Sequence, residues 1–237
     1  MLETRFPRPL GDAGNPQSWQ VPVDLRVVAG AWPGRVVCSA ANLRAAHLVP
    51  AFAHAALQLQ RGGATAIATS CGFLVLLQED LQAALDVPLV TSSLLQLPGL
   101  LQEEGSVGVL TISATALGPQ HLLQAGVTWD RMDDVVVQGM DPHGEFAGAI
   151  LGNRTQMDLK LAEREVVAAA CALHQRAPHL RTLVLECANM PPYAGAIRDA
   201  TGLRVRSLVD SPVLARALHL PNTANALGPT NLDRVNI

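Results

Sequence analysis

Six short runs of β-branched or apolar residues, at 65–69, 87–91, 107–111, 135–138, 182–186 and 203–208, alternate along the chain with stretches of helical period at 50–60, 76–85, 114–124, 158–176 and 192–200. A strand followed by a helix followed by a strand suits parallel pairing, because parallel strands need a long crossover, and the crossover helices then cover the sheet faces. The pattern predicts an α/β protein. Its clearest helix is 158–176, where Leu159, Ala162, Val166, Ala169, Ala170 and Leu173 recur at helical spacing and Lys160, Glu163, Arg164 and Gln175 take other faces. With 237 residues there is room for one large lobe or two small ones, each with its own core.

In such sheets ligands gather beyond the carboxyl ends of the strands. Two strands end there on a cysteine, in ATAIATSCGF (64–73) and RTLVLECANM (181–190). Cys71 and Cys187 are 116 positions apart (187 − 71), and laying one on the other aligns CGFLVLLQEDLQAALDVPLV with CANMPPYAGAIRDATGLRVR without a gap. Leu81 then falls on Ile197, Ala84 on Ala200, Asp86 on Gly202 and Val87 on Leu203. Each half reads strand, cysteine, helix, turn, strand. The repeat predicts two pseudo-symmetric lobes, each a parallel sheet flanked by helices, with the thiols on opposite walls of a cleft at the lobe interface. A thiol between a strand end and a helix start faces free N–H groups, so each thiolate is expected to be stabilised, its pKa falling from ~8.5 toward neutrality. Two thiols across a planar carbanion make an acid/base pair that inverts a carbon centre, one taking a proton from one face while the other returns it to the opposite face. The N–H groups around Gly72 and Ala188 are expected to hold the charge that develops.

Composition narrows the alternatives. A net charge of −3 with no basic run, and only three Trp, one Tyr and four Phe, argue against a nucleic-acid surface. No apolar run approaches the ~18 residues of a membrane span. MLETRFPRPLGD lacks the apolar core of an export signal, so a cytoplasmic location is expected. The cysteines are then read as thiols, with Cys38 and Cys171 as small core residues. The single lysine, Lys160, lies on a charged helical face and offers no natural Schiff-base site, and no glycine-rich nucleotide loop is present. His47 and His54 have no carboxylate to complete a metal set. Neither a metal nor an organic cofactor is expected, and the expected partner is a small-molecule substrate.

Taken together, LGDAGNPQSW, ATSCGFL, SVGVLTISATAL and LVLECANMPPYAGAIRDATGL resemble the cofactor-independent aspartate/glutamate/hydantoin racemase superfamily over most of the chain. The last motif is most like the branch that carries Leu-Glu-Cys-Thr-Asn-Met-Pro-Pro-Tyr. The resemblance implies two α/β lobes, 1–100 with 209–237 and 101–208, usually in a homodimer, acting without a cofactor on a small carboxylate or cyclic imide. It implies Cys71 and Cys187 as the catalytic acid/bases, Asp12 and Asn15 in an N-terminal substrate loop, and Thr111, Ser113 and Thr115 in a hydroxyl-rich carboxylate loop. Ser70, Gly72, Phe73, Ala188 and Asn189, beside the cysteines, are implied as further substrate contacts. Asp12, Asn15 and the three hydroxyls also have plain readings as turn and helix caps.

Some positions depart from the family pattern. Ala188 stands where many members have Thr, no His follows the second motif, and no Arg is visibly placed for a distal carboxylate, which points away from glutamate. Only MLETRFPRP precedes Gly11 where the family places a full strand, so that strand is expected to be short or the start to lie upstream. Glu186 is read as facing away from Cys187 by strand alternation. The implied activity is a racemase or epimerase. Arylmalonate decarboxylases, which keep only the second cysteine, and maleate isomerases, which use one as nucleophile, are alternatives within the superfamily. A catalytically idle small-acid-binding module is the alternative from another class.

Overall fold

All six apolar runs become strands, and every pairing between them is parallel. The structure is a computed structural model that describes residues 1–219; residues 220–237, expected in the first lobe, lie outside the described residues. β1 (Ile67–Ala68) pairs with β2 (Leu89–Val90) in a two-stranded sheet. β3 (Val107–Thr111), β4 (Val135–Gly139), β5 (Thr182–Leu185) and β6 (Arg204–Arg206) form a second sheet in the order β4-β3-β5-β6. Every residue of β3 and β5 is buried, as inner strands covered on both faces must be, and this is why they read as unbroken apolar runs. Leu110 pairs with Leu185, so both strands end level on the same side of the sheet.

The long helix Leu159–Arg176 starts where Asp158 accepts hydrogen bonds from the Lys160 and Leu161 N–H groups, each at 3.0 Å. It buries Ala162, Val166, Ala170 and Leu173, whereas Leu159 stays exposed. The helix expected over 114–124 forms only as Pro119–Gln124. Pro119 explains this: proline fits a first helical turn but lacks the N–H, and has the wrong shape, for a helix interior. Two further helices open as 3-10 turns, Gly72–Leu77 leading into Gln78–Gln82 and Pro191–Tyr193 leading into Ala194–Thr201. Gly202 closes the latter in the left-handed conformation (φ +71°), its N–H reaching the Arg198 carbonyl at 2.8 Å.

The repeat seen in the sequence persists in the backbone. Shifted by the spacing of the two cysteines, helix Gln78–Gln82 starts where helix Ala194–Thr201 starts, and β2 lies within the span of β6. A 3-10 turn and a helix then follow in both halves, Ser93–Gln96 with Leu97–Glu104 and Leu208–Asp210 with Pro212–Ala217. The halves differ in their sheets, since only the second carries β3 and β4. The strand expected before Gly11 is reduced to a single parallel bridge between Leu2 and Val28. No helix among the described residues is long and apolar enough to cross a membrane.

Candidate active site

Cys71 and Cys187 follow β1 and β5 at the carboxyl ends of the two sheets. Thr69 fixes the first turn by donating to the Thr91 carbonyl (2.7 Å) and the Cys71 carbonyl (3.2 Å). The second turn forms after Glu186 makes a last rung to β3, its N–H on the Leu110 carbonyl at 2.9 Å, and the Met190 N–H closes on the Cys187 carbonyl at 3.0 Å. Both cysteines line one small cavity of about 20 Å³, walled on its apolar side by Leu2, Phe6, Ile112 and Ile150. The two turns are alike in detail, each directing the N–H two residues on, from Phe73 or Asn189, at the sulfur.

Those N–H groups do not win. Both thiols are pushed well above the ordinary cysteine range, first by burial and then by the carboxylate of Glu186. The expected fall toward neutrality is therefore corrected for the unliganded site. With Cys71 only 8% and Cys187 6% exposed, a thiolate loses more hydration than one N–H and a short 3-10 turn return.

Around Cys187 lies a chain of polar contacts. Its sulfur donates to Asn189 Oδ1 at 3.5 Å, Asn189 Nδ2 donates to Asp12 Oδ2 at 2.7 Å, and Arg8 Nη1 pairs with Asp12 Oδ1 at 2.7 Å. The Gly14 N–H also donates to Asp12 Oδ1 at 2.7 Å. Gly11, at φ +100°, lets this loop lie on the second half, where a Cβ would meet the Pro192 Cα at 2.9 Å. Around Cys71 the neighbours are Phe73, Ser70 and the N-terminal segment, with Ser70 Oγ accepting from the Leu2 N–H at 3.2 Å.

Of the other residues singled out in the sequence, Ser70, Gly72, Phe73 and Asn189 line the cavity. Asp12 is buried and reaches the site through Asn189. Thr111 turns its hydroxyl onto Glu186 Oε2 at 2.8 Å. Ala188 is buried and gives its carbonyl to the Ala13 N–H at 3.1 Å. Asn15 caps the turn Pro16–Ser18 by accepting from the Gln17 N–H, and Ser113 and Thr115 bond each other at 3.1 Å on an exposed turn; none of these three lines the cavity. Cys38 is half-buried, its sulfur donating to the Arg35 carbonyl.

Two residues enter the site that the sequence reading left out. Glu186 lines the cavity, because β5 ends at Leu185 and the turn brings Glu186 and Cys187 to the same space. It is 2% exposed, its Oε1 has no hydrogen-bond partner, and burial raises its pKa to about 7. Arg8 is the second; its spacing of four from Asp12 was the only available signal. Among the described residues no group of acidic, histidine and cysteine side chains is arranged to hold a metal.

No protein-family model matches the chain. Over 210 residues it is 29% identical to a dimethylsulfoniopropionate lyase of Durusdinium sp. clade D, covering 85% of this chain and 67% of that protein. Over 222 residues it is 28% identical to dimethylsulfoniopropionate lyase 7 of Emiliania huxleyi, covering 89% of this chain. The chain spans 63% of that second relative and 54% of lyase 6 from the same organism. Among solved structures it is similar to a Gly74Cys-Cys188Ser mutant of arylmalonate decarboxylase in its liganded form, with TM-score 0.52 and 16% identity over 85% of this chain and 82% of the other. It is also similar to a Yersinia pestis protein assigned as an Asp/Glu racemase, with TM-score 0.50 and 14% identity over 76% and 78% of the two chains. With parallel sheets flanked by helices, the chain shares the two-lobe α/β fold of these two structures, the fold that the sequence resemblance implies.

Proposed function

We propose that the site removes the proton from the carbon next to a small carboxylate and that the resulting carbanion collapses by β-elimination. The observation that carries this reading is that Cys71 and Cys187, from matching positions of two halves, line one small cavity. Elimination rather than inversion is supported by the likeness to dimethylsulfoniopropionate lyases, so dimethylsulfoniopropionate is the substrate to test first. The atoms balance simply. A thiolate takes the α proton, the C–H electron pair becomes the new C=C bond, and the Cβ–S bond breaks toward sulfur, leaving acrylate and neutral dimethyl sulfide. Because the sulfonium leaves as a neutral molecule, no acid has to protonate it.

Elimination thus needs one base, and the surroundings favour Cys71. Burial and Glu186 push both thiols up, but Arg8 partly offsets that rise at Cys71, whereas Asp12 adds a little to it at Cys187 and Asn189 Oδ1 accepts from the Cys187 S–H, which keeps Cys187 a thiol. Cys187 then serves as a neutral hydrogen-bond donor to the developing enolate. At about 20 Å³ the cavity admits little more than a water, so the substrate must part the walls; Leu2 and Phe6, outside both sheets, are the walls best able to give. A second reading, racemisation at a carbon acid, is favoured by the matched turns on which the two thiols sit.

Proton NMR in D₂O separates the two. Incubation with dimethylsulfoniopropionate is expected to give vinyl signals of acrylate and the dimethyl sulfide singlet in equal amounts. Loss of the Cα–H signal from amino acids or hydantoins, with no vinyl signal from the sulfonium compound, would replace elimination with racemisation.

A further inference from the structure

Glu186 is a buried carboxylate with one oxygen unpartnered, although Thr111 and the Ile112 N–H both favour its charged form. Thr111 Oγ1 donates to Oε2 at 2.8 Å, Oε1 has no partner, and no Arg, Lys or His pairs with it among the described residues. Arg8, the cation that acts on Cys71, is engaged with Asp12 and with Thr4 Oγ1. A carboxylate left this way in an apolar wall is costly unless something else completes it. Its position is nevertheless enforced. A Cβ on Gly72 would come within 2.3 Å of both Glu186 Oε1 and the Glu186 carbonyl, so glycine at 72 is what lets the carboxylate lie against the Cys71 turn. The group is therefore held from β3 and β5 on one side and touches the other half on its far side, in the wall of the cavity that both thiols share.

We propose that Glu186 receives the fixed positive charge of a zwitterionic substrate, so that the site selects small acids with a sulfonium or quaternary ammonium group at the carbon β to the carboxylate carbon. The proposal rests on the reading of the cavity as a site for small carboxylates, and adds which of them it prefers. A cation lodged against Oε1 supplies the charge that the unliganded site lacks. It also acts on the reaction, because Glu186 raises the pKa of both Cys71 and Cys187, and a cation in that place offsets it. The substrate thereby helps to generate the thiolate that attacks it, and a neutral acid of the same shape gives no such help.

Two probes of equal shape isolate the charge: 3-(trimethylammonio)propanoate and 4,4-dimethylpentanoate, which place N⁺ and C at the same position. Calorimetric titration of the whole chain at pH 8, above the Glu186 pKa of about 7, is expected to show the cationic probe binding at least about tenfold tighter than the neutral one. In Glu186→Gln, which keeps the shape and an acceptor for Thr111, the ratio is expected to fall to about one, with the neutral probe's affinity nearly unchanged. That unchanged affinity shows that the variant's site is intact. Equal or weaker binding of the cationic probe to the wild type, no binding of it at all, or a ratio that survives in Glu186→Gln overturns the proposal. A wild type that prefers the cationic probe but forms no acrylate from dimethylsulfoniopropionate keeps the charge selectivity and discards elimination.

Discussion

Cys71 and Cys187 occupy equivalent turns in the two halves, each after a parallel strand, before a 3-10 segment and beside the N–H two residues on, which favours the thiolate. Their surroundings are not equivalent. Cys187 sits in a relay of polar contacts through Asn189 and Asp12 to Arg8, while Cys71 is packed against Phe73 and the N-terminal segment, where its S–H meets no acceptor among the described residues. A duplicated backbone thus offers two thiols in register, and the side chains around them divide the labour. A symmetric pair suits inversion, where each thiol must serve as both acid and base. An asymmetric pair suits a reaction that needs one base.

The largest expected effect on stability tests the polar half. Asp12 is 1% exposed and paired with Arg8, so Asp12→Ala strands a largely buried guanidinium; a loss of about 3–5 kcal/mol in urea unfolding is expected. A loss near zero would mean that the relay does not hold the second turn.

Glu186, between the halves, gives the next effect through pH. Its folded pKa of about 7 lies above the ordinary 4.5, so the folded state holds the proton more tightly than the unfolded chain does. The stability this contributes is complete below pH ~4.5 and is lost as pH rises through ~7, a change of up to about 3 kcal/mol. Glu186→Gln removes the titration. It is expected to stabilise the protein relative to wild type at pH 8 and to bring no such gain at pH 5; a difference between the two proteins that does not vary with pH contradicts the burial argument.

Asn189→Ala should cost less, about 1–3 kcal/mol, because it deprives Asp12 Oδ2 of its donor and Cys187 of its acceptor without removing a charge. Its rate of pH-dependent alkylation at Cys187, followed by peptide mapping, should change while that at Cys71 does not. Equal changes at both would show that the halves are coupled more tightly than their contacts indicate. The smallest effect belongs to the exposed turn: Ser113→Ala and Thr115→Ala are expected to alter stability by within about 0.5 kcal/mol and turnover hardly at all, since their hydroxyls face each other and not the cavity. A large loss of turnover in either would return that loop to the site.

Much of the fold was legible because periodicity and residue type carry it. β3 and β5 are inner strands of β-branched and aliphatic residues, and the spacing of the two cysteine turns survives as equal spacing of elements. The helix before Pro119 was misread because apolar period alone says nothing about a missing N–H. Within the site, the convergence of Cys71 and Cys187 on one cavity follows from the repeat, whereas the direction of their pKa shifts does not. That direction comes from walls distant in sequence, Leu2 and Phe6 on one side and Ile112 and Ile150 on another, which bury the sulfurs more than a local turn reveals. Glu186 was misplaced because strand alternation was carried one residue past the end of β5. Arg8 was missed because a charged residue before a proline in a short N-terminal stretch looks like surface until Asp12 is seen buried beneath it.

The inequality of the two thiols is tested most directly by comparing Cys71→Ala with Cys187→Ala, both shown to be folded, in initial rates of acrylate formation from dimethylsulfoniopropionate. With Cys71 as the base and Cys187 as a neutral donor, Cys71→Ala should lose about 10³–10⁴-fold or more, and Cys187→Ala roughly 10²-fold, retaining measurable elimination. Equal losses in the two variants, or the greater loss in Cys187→Ala, would contradict the assignment.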